Sequence, residues 1–131
     1  MKKRRILFVT ERRADYSRLK PILELARKSS KLEIHIVATG LHFLKSFGET
    51  KQALADDGFK IDLELPVYRD EEADNGEMMA HAFGEFVIKL TGAVREIKPD
   101  LVFCGFDLGA HLAAAVVAMN MNIPVAHIQG G

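Results

Sequence analysis

Charged side chains follow the first apolar run of the sequence, at a position suited to binding an anion. Arg13, Asp15 and Arg18 lie between residues 6–9, a buried-strand pattern, and an amphipathic segment. Backbone N–H groups at a helix start favour anions, and arginine adds charge-assisted hydrogen bonds to phosphate. We therefore predict phosphate contacts from Arg13 and Arg18. The alternative is a solvated basic turn in which Asp15 caps the helix.

This turn lacks the glycines that close approach to a dinucleotide would require. The sequence contains neither G-x-G-x-x-G nor the P-loop pattern G-x-x-x-x-G-K-[ST]. We therefore predict no cofactor. Phosphates at this turn would be held by side chains or by another domain.

Three further turns carry polar residues that could reach the same cleft. His42 follows the second predicted strand and could face the cleft or simply lie exposed. Asp107 follows the fourth strand, where it could cap the next helix or act as an acid or base. Gln129 ends the fifth strand on the same side as His127, and its amide can donate and accept hydrogen bonds but cannot take up and release a proton as a carboxylate does.

The remaining polar residues do not support a metal site. The histidines are scattered along the chain, with no ligand pair at a fixed short spacing. His111 is predicted to lie on a helix surface and the acidic run 70–74 in a solvated loop. Cys104 is predicted to be an inert buried thiol. No metal is therefore expected.

Alternating strand and helix patterns position these turns. Strands are predicted at 6–9, 32–38, 59–65, 101–104 and 124–128. Helices are predicted from about residue 15 with an irregular start near Pro21, and over 50–57, 77–97 and 109–121. This alternation predicts an α/β fold, a doubly wound, Rossmann-like parallel sheet of about five strands. Ligands in such folds bind beyond the carboxyl ends of the strands.

Length and composition fit one domain over residues 1–131. The 18 basic and 18 acidic residues cancel, so a nucleic-acid partner is not expected. No apolar stretch approaches the ~20 residues of a membrane helix, and the first apolar run is too short for a signal peptide. We predict no membrane association and a cytoplasmic location.

Taken in order, these motifs resemble the UDP-N-acetylglucosamine 2-epimerases, and most of all the hydrolysing branch that feeds sialic-acid-type sugars. The resemblance covers nearly the whole chain. The matching segments are Arg13-Ala14-Asp15-Tyr16-Ser17 with Pro21, Thr39-Gly40-Leu41-His42, Phe47-Gly48-Glu49-Thr50, Lys98-Pro99-Asp100, Gly105 with Asp107, and Asn122-Ile123-Pro124-Val125-Ala126-His127-Ile128 with Gly130-Gly131.

The resemblance implies the N-terminal half of a two-domain B-type glycosyltransferase fold, with substrate bound between the domains. It implies nucleotide-diphosphate contacts for Arg13 and Arg18 and a cleft position for His42. It also implies a catalytic role for Asp107 and, at a position that is often glutamate, for Gln129. The implied reaction releases UDP from UDP-N-acetylglucosamine and adds water with inversion at C2, giving N-acetylmannosamine.

Three hypotheses remain open at this point. The first is a hydrolysing epimerase domain that is inactive without its C-terminal nucleotide-binding domain. The second is a non-catalytic sugar-nucleotide-binding subunit that needs a partner chain, and the third is a generic doubly wound domain that binds a protein. Asp107 and Arg13 favour the first, whereas Leu108 stands where the family shows arginine and favours the second. A homodimer could also supply a second cleft wall.

Overall fold

The structure, a computed structural model, describes residues 2–44, 50–68, 75–106 and 109–129. The acidic run 70–74 and Asp107 lie outside these ranges. The strands are β1 (Arg4–Thr10), β2 (Leu32–Thr39), β3 (Leu63–Leu65), β4 (Leu101–Gly105) and β5 (Val125–Ile128). The helices are α1 (Arg13–Lys28), α2 (Gln52–Asp56), α3 (Gly76–Ile97) and α4 (Gly109–Asn120), with a short 3₁₀ helix over Gly40–Phe43.

The five strands form one parallel sheet in the order β3-β2-β1-β4-β5. The chain leaves β1 towards β2 and β3, then returns to place β4 on the other side of β1. The predicted α/β, doubly wound parallel sheet is therefore confirmed. Because every strand points the same way, the turns after β1, β2, β4 and β5 gather at one edge, where such folds bind ligands.

Alternating side chains of β1 divide the apolar core into two layers. Leu7 and Val9 pack on one face of the sheet in a cluster that includes Phe86 of α3. Phe8 packs on the other face in a cluster that includes Leu19 of α1. Burial on both faces explains why the strands read as continuous apolar runs rather than as alternating patterns.

Two elements differ from the prediction. β3 is confined to Leu63–Leu65, and the earlier Phe59 packs instead with its ring 4.2 Å from the Arg27 guanidinium carbon. α1 begins at Arg13 and contains Pro21 in its interior, so the irregular start predicted near Pro21 is wrong. The helix starts earlier because the Asp15 carboxylate accepts the Arg12 N–H at the helix entrance.

Within the described ranges, no helix has the length and apolar character needed to cross a membrane. The same ranges contain no group of three or more His, Cys, Asp or Glu side chains placed to hold a metal ion. Cys104 is buried, as predicted, and burial raises the pKa of its thiol.

Candidate functional site

An open cleft of about 360 Å³ lies where β1, β4 and β5 end. Among the residues that the structure describes, its lining consists of Arg12, Arg18, Phe106, His127 and Gln129. Two arginines, a histidine and an amide line the described part of the cleft together with one aromatic ring, so it is suited to a polar, anionic ligand that also carries an apolar face.

Arg18 is fixed by contacts from two strand ends. Its Nη1 donates to Gln129 Oε1 at 3.2 Å, which joins α1 to the residue after β5. Its guanidinium carbon lies 5.7 Å from the centroid of the Phe106 ring, within cation–π range. The Arg18 side chain remains exposed. It can therefore donate its remaining N–H groups to a ligand oxygen.

The backbone at the ends of β4 and β5 is strained. Phe106 and Gln129 adopt left-handed conformations with φ of 72° and 61°. Such non-glycine conformations cost on the order of 1–3 kcal/mol each and cluster at functional sites. Gly105 permits the two ends to meet, because a Cβ at this position would lie 2.6 Å from the Ile128 carbonyl oxygen.

A buried polar cluster around Asp15 lies at the same sheet edge. Oδ1 of Asp15 accepts the Thr10 hydroxyl at 2.5 Å, and Oδ2 accepts the Glu11 N–H at 2.8 Å. Nε2 of His111 lies 2.7 Å from Oδ2. Burial opposes ionisation, but the hydrogen bonds from His111 and Thr10 outweigh it and hold the pKa of Asp15 below its ordinary value of 3.8. One carboxylate thus ties β1, α1 and α4 together.

His42 belongs to this cluster and has no exposed surface. Nε2 lies 2.8 Å from Thr10 Oγ1, and Nδ1 lies 2.8 Å from Thr50 Oγ1. Because Thr10 donates its only hydroxyl proton to Asp15, Nε2 of His42 must be the donor and Nδ1 the acceptor. Burial lowers the pKa of His42 to about 4, although the Asp15 carboxylate acts in the opposite direction. The ring is therefore neutral at pH 7.

Glu11 is the second buried carboxyl group of the cluster. Its Oε2 accepts the Ala110 N–H at 3.3 Å at the start of α4. Its side chain also fills the space where a Cβ on Gly40 would lie, only 2.6 Å from its Cγ. Burial, reinforced by the nearby charge of Asp15, raises the pKa of Glu11 to about 7 despite the Ala110 N–H.

The structure brings together some of the predicted site residues and separates others. Arg18 and Gln129 meet in the cleft. Arg13 is exposed at the start of α1, and the described lining of the cleft holds Arg12 instead. His42 is buried rather than exposed or facing the cleft. Asp107 lies outside the described residues.

The surface position predicted for His111 is wrong. His111 was expected on the helix surface, but it is only 2% exposed because its ring hydrogen-bonds to Asp15. Sequence reasoning also assigned no role to Glu11, Arg12 or Phe106. Their positions could have identified them, because all three residues closely follow the carboxyl end of a strand, where ligands bind in such folds.

The chain is similar to known 2-epimerases. The family model described as UDP-N-acetylglucosamine 2-epimerase matches residues 24–131. The UDP-N,N'-diacetylbacillosamine 2-epimerase (hydrolyzing) of Legionella pneumophila is 34% identical over 98% of this chain and 33% of its own length. The UDP-N-acetylglucosamine 2-epimerase of Neisseria meningitidis serogroup B is 31% identical over the same shares. The chain thus spans about a third of the length of these curated relatives.

Solved structures share the fold. A crystal structure of a UDP-N-acetylglucosamine 2-epimerase superposes with a TM-score of 0.83 and 21% identity, over 99% of this chain and 34% of that one. The Neisseria meningitidis UDP-GlcNAc 2-epimerase bound to UDP-GlcNAc superposes with a TM-score of 0.80 and 22% identity, over 97% and 32%. Both have the B-type glycosyltransferase fold, so the fold that the sequence motifs implied is confirmed.

Proposed function

Because the chain belongs to the UDP-N-acetylglucosamine 2-epimerase family, we propose that it forms the N-terminal wall of the substrate cleft of a hydrolysing epimerase. The proposed reaction converts UDP-N-acetylglucosamine and water into N-acetylmannosamine and UDP. The observation that carries this proposal is the cleft in which Arg18 contacts both Phe106 and Gln129. Its volume falls within the range of small-molecule sites.

The described cleft residues suit the diphosphate part of such a substrate. Arg18 and Arg12 would donate to phosphate oxygens and stabilise the negative charge that develops as UDP departs. Gln129 would orient the substrate by hydrogen bonding, because its amide cannot act as an acid or base at neutral pH. We propose Asp107 as the acid or base of the reaction.

The predicted substrate-binding residues Arg13 and His42 enter the proposal differently. Arg13 is exposed and directly follows the cleft residue Arg12, so we propose that it contacts the ligand from the edge of the cleft. His42 has both ring nitrogens engaged by Thr10 and Thr50. We propose that it supports the turn rather than touching substrate.

The cleft is open, which leaves room for a second protein surface to close it. The chain covers a third of its curated relatives, and we propose that a C-terminal nucleotide-binding domain or partner chain completes the site. The isolated chain is then expected to release no UDP from UDP-N-acetylglucosamine above background. The homodimer and the cytoplasmic location stay predictions.

A non-catalytic sugar-nucleotide-binding subunit is the second candidate. It is favoured by Gln129, an amide that cannot act as an acid or base, at a cleft position that is often glutamate in the family. The two candidates differ once a second domain or partner chain is supplied. Turnover would then support the enzyme, whereas binding without turnover would support the subunit.

Replacing Arg18 with alanine is expected to weaken UDP binding about tenfold, because a charge-assisted hydrogen bond to phosphate contributes on the order of 1.5 kcal/mol. Isothermal titration calorimetry with UDP measures this effect. Lys28→Ala is the matched control, since it removes the same charge from an exposed position at the far end of α1. Equal affinities for the wild type and Arg18→Ala would show that Arg18 does not bind UDP. No UDP binding by the wild type at millimolar concentration would contradict the proposed function.

Changing Gln129 to glutamate is expected to weaken UDP binding about fivefold, as an exposed charge pair is worth up to about 1 kcal/mol. The new carboxylate would neutralise Arg18 at the existing 3.2 Å contact and repel the diphosphate. Titrations at low and high salt test this cause, because screening should reduce the difference. Gln129→Ala is the control for simple loss of the amide. Tighter UDP binding by Gln129→Glu would contradict the assigned electrostatics.

A further inference from the structure

His111 connects the buried polar cluster to the cleft through contacts on opposite sides of its ring. Nε2 faces Asp15 Oδ2 at 2.7 Å, and Nδ1 accepts the Gly105 N–H at 3.3 Å. A backbone N–H can only donate, so Nδ1 carries no proton and Nε2–H donates to Asp15. Both nitrogens are thus engaged, and the orientation of the ring is fixed.

The fixed ring supports Phe106, the residue that follows β4. The two rings meet edge to face, with centroids 5.2 Å apart and an interplanar angle of 82°. His111 thus makes two contacts around Phe106: its Nδ1 accepts the N–H of the preceding residue, Gly105, and its ring packs against the Phe106 ring. The left-handed backbone of Phe106 lies between these two contacts. His111 therefore sets the direction in which the Phe106 ring enters the cleft.

Phe106 in turn restrains Arg18. The guanidinium lies over the ring at 5.7 Å, and a free arginine side chain would otherwise sample many rotamers. Holding a binding side chain in its bound orientation improves affinity, because less conformational entropy is lost on binding. His111 is buried, so it can influence a ligand only through these neighbours.

We propose that His111 is a positioning residue that holds Phe106 beneath Arg18 and so pre-organises the anion-binding arginine of the cleft. This inference rests on the proposed function for its ligand, a nucleoside diphosphate. The positioning itself concerns only the chain's own residues. It can therefore be measured with and without UDP.

The test compares His111→Gln with the wild type. Glutamine can still donate to Asp15 but has no ring to support Phe106. The Arg18 Nε–Hε resonance reports positioning without ligand, through the ring-current shift from Phe106 and through its ¹⁵N relaxation. We expect the shift to collapse towards the value of a free arginine, the side chain to become more mobile, and the Kd for UDP to rise about threefold to tenfold.

Phe106→Leu provides a second route, because it removes the aromatic ring without touching the His111–Asp15 pair. It should reproduce the Arg18 change, and adding His111→Gln to it should change neither Arg18 nor the Kd further. A purely structural histidine would instead lower the melting temperature in both backgrounds and leave Arg18 unchanged. An unchanged Arg18 resonance in folded His111→Gln, or in Phe106→Leu if His111→Gln does not fold, overturns the inference. Failure of the wild type to bind UDP would overturn the proposed function alone, since the Arg18 resonance still decides the positioning.

Discussion

Asp15→Ala is expected to lower the free energy of unfolding by about 3–5 kcal/mol, the range for breaking a buried charged network by removing one partner. The variant would leave the Thr10 hydroxyl, the Glu11 N–H and His111 Nε2 without their shared acceptor. These donors are buried, so water cannot replace the carboxylate without opening the cluster. Urea denaturation at pH 7 measures the loss.

Two variants sharpen this measurement. Asp15→Asn keeps one acceptor oxygen but loses the charge, and it should fall between the wild type and Asp15→Ala. Asp56→Ala removes an exposed carboxylate from α2 and should cost less than about 0.5 kcal/mol. A loss for Asp15→Ala as small as that for Asp56→Ala would show that the cluster does not hold the sheet edge together.

Glu11→Gln is expected to uncover a pH dependence of stability that the wild type hides. The pKa of Glu11 is about 7 in the fold and ordinarily 4.5, so its contribution to the free energy of unfolding is full below pH 4.5 and is lost as pH rises to 7. The pKa of His42 is about 4 in the fold and ordinarily 6.5, so its contribution is full above pH 6.5 and is lost as pH falls to 4. Each shift corresponds to roughly 3 kcal/mol, and the two slopes oppose each other between pH 4.5 and 6.5.

The wild type should therefore show nearly constant stability between pH 4.5 and 6.5, measured by urea denaturation. Glu11→Gln should gain stability as pH rises through this window, and His42→Gln should lose it. Asp15 does not interfere, because its pKa is lowered from 3.8, so its stabilising effect is full above that value and is lost only at lower pH. Superimposable profiles for the wild type and Glu11→Gln would mean that Glu11 ionises freely in the fold.

Most of the fold could be predicted because its signals are local and consistent. Apolar runs buried on both faces mark parallel strands, and helical periodicity separates them. The rule that ligands bind beyond the strand ends then brought Arg18 and Gln129 to one cleft, although they lie far apart in the sequence. That rule gives the edge of the sheet but not the direction of each side chain.

Side-chain direction depends on where a helix begins, which explains why the sequence pointed to Arg13 in the first turn whereas Arg12 lines the cleft. Because α1 begins at Arg13 rather than near Asp15, Arg12 is the last extended residue and Arg13 the first helical one, so the two side chains leave the backbone in different directions. Arg12, which is extended at the helix entrance, lines the cleft, and Arg13 lies exposed. Propensity and capping rules do not fix helix boundaries closely enough to separate neighbouring arginines.

The burial of His111 could not be read from the pattern of α4. That helix is apolar on nearly every side, with Leu112 and Met119 exposed and Ala113 buried. Apolar spacing therefore gives no rotational phase, and a polar residue is assigned to the surface by default. Only the contact with Asp15, 96 residues away in sequence, shows that this histidine belongs inside.

The central claim is that the cleft at the ends of β1, β4 and β5 binds the UDP part of a nucleotide sugar. Amide chemical-shift mapping during a UDP titration of the ¹⁵N-labelled chain tests it most directly. We predict the largest shifts at Arg12, Phe106 and Gln129, with little change at Arg4 and Arg5 at the opposite end of the sheet. Shifts centred on Arg4 and Arg5, with the cleft amides unmoved at saturating UDP, would contradict the claim.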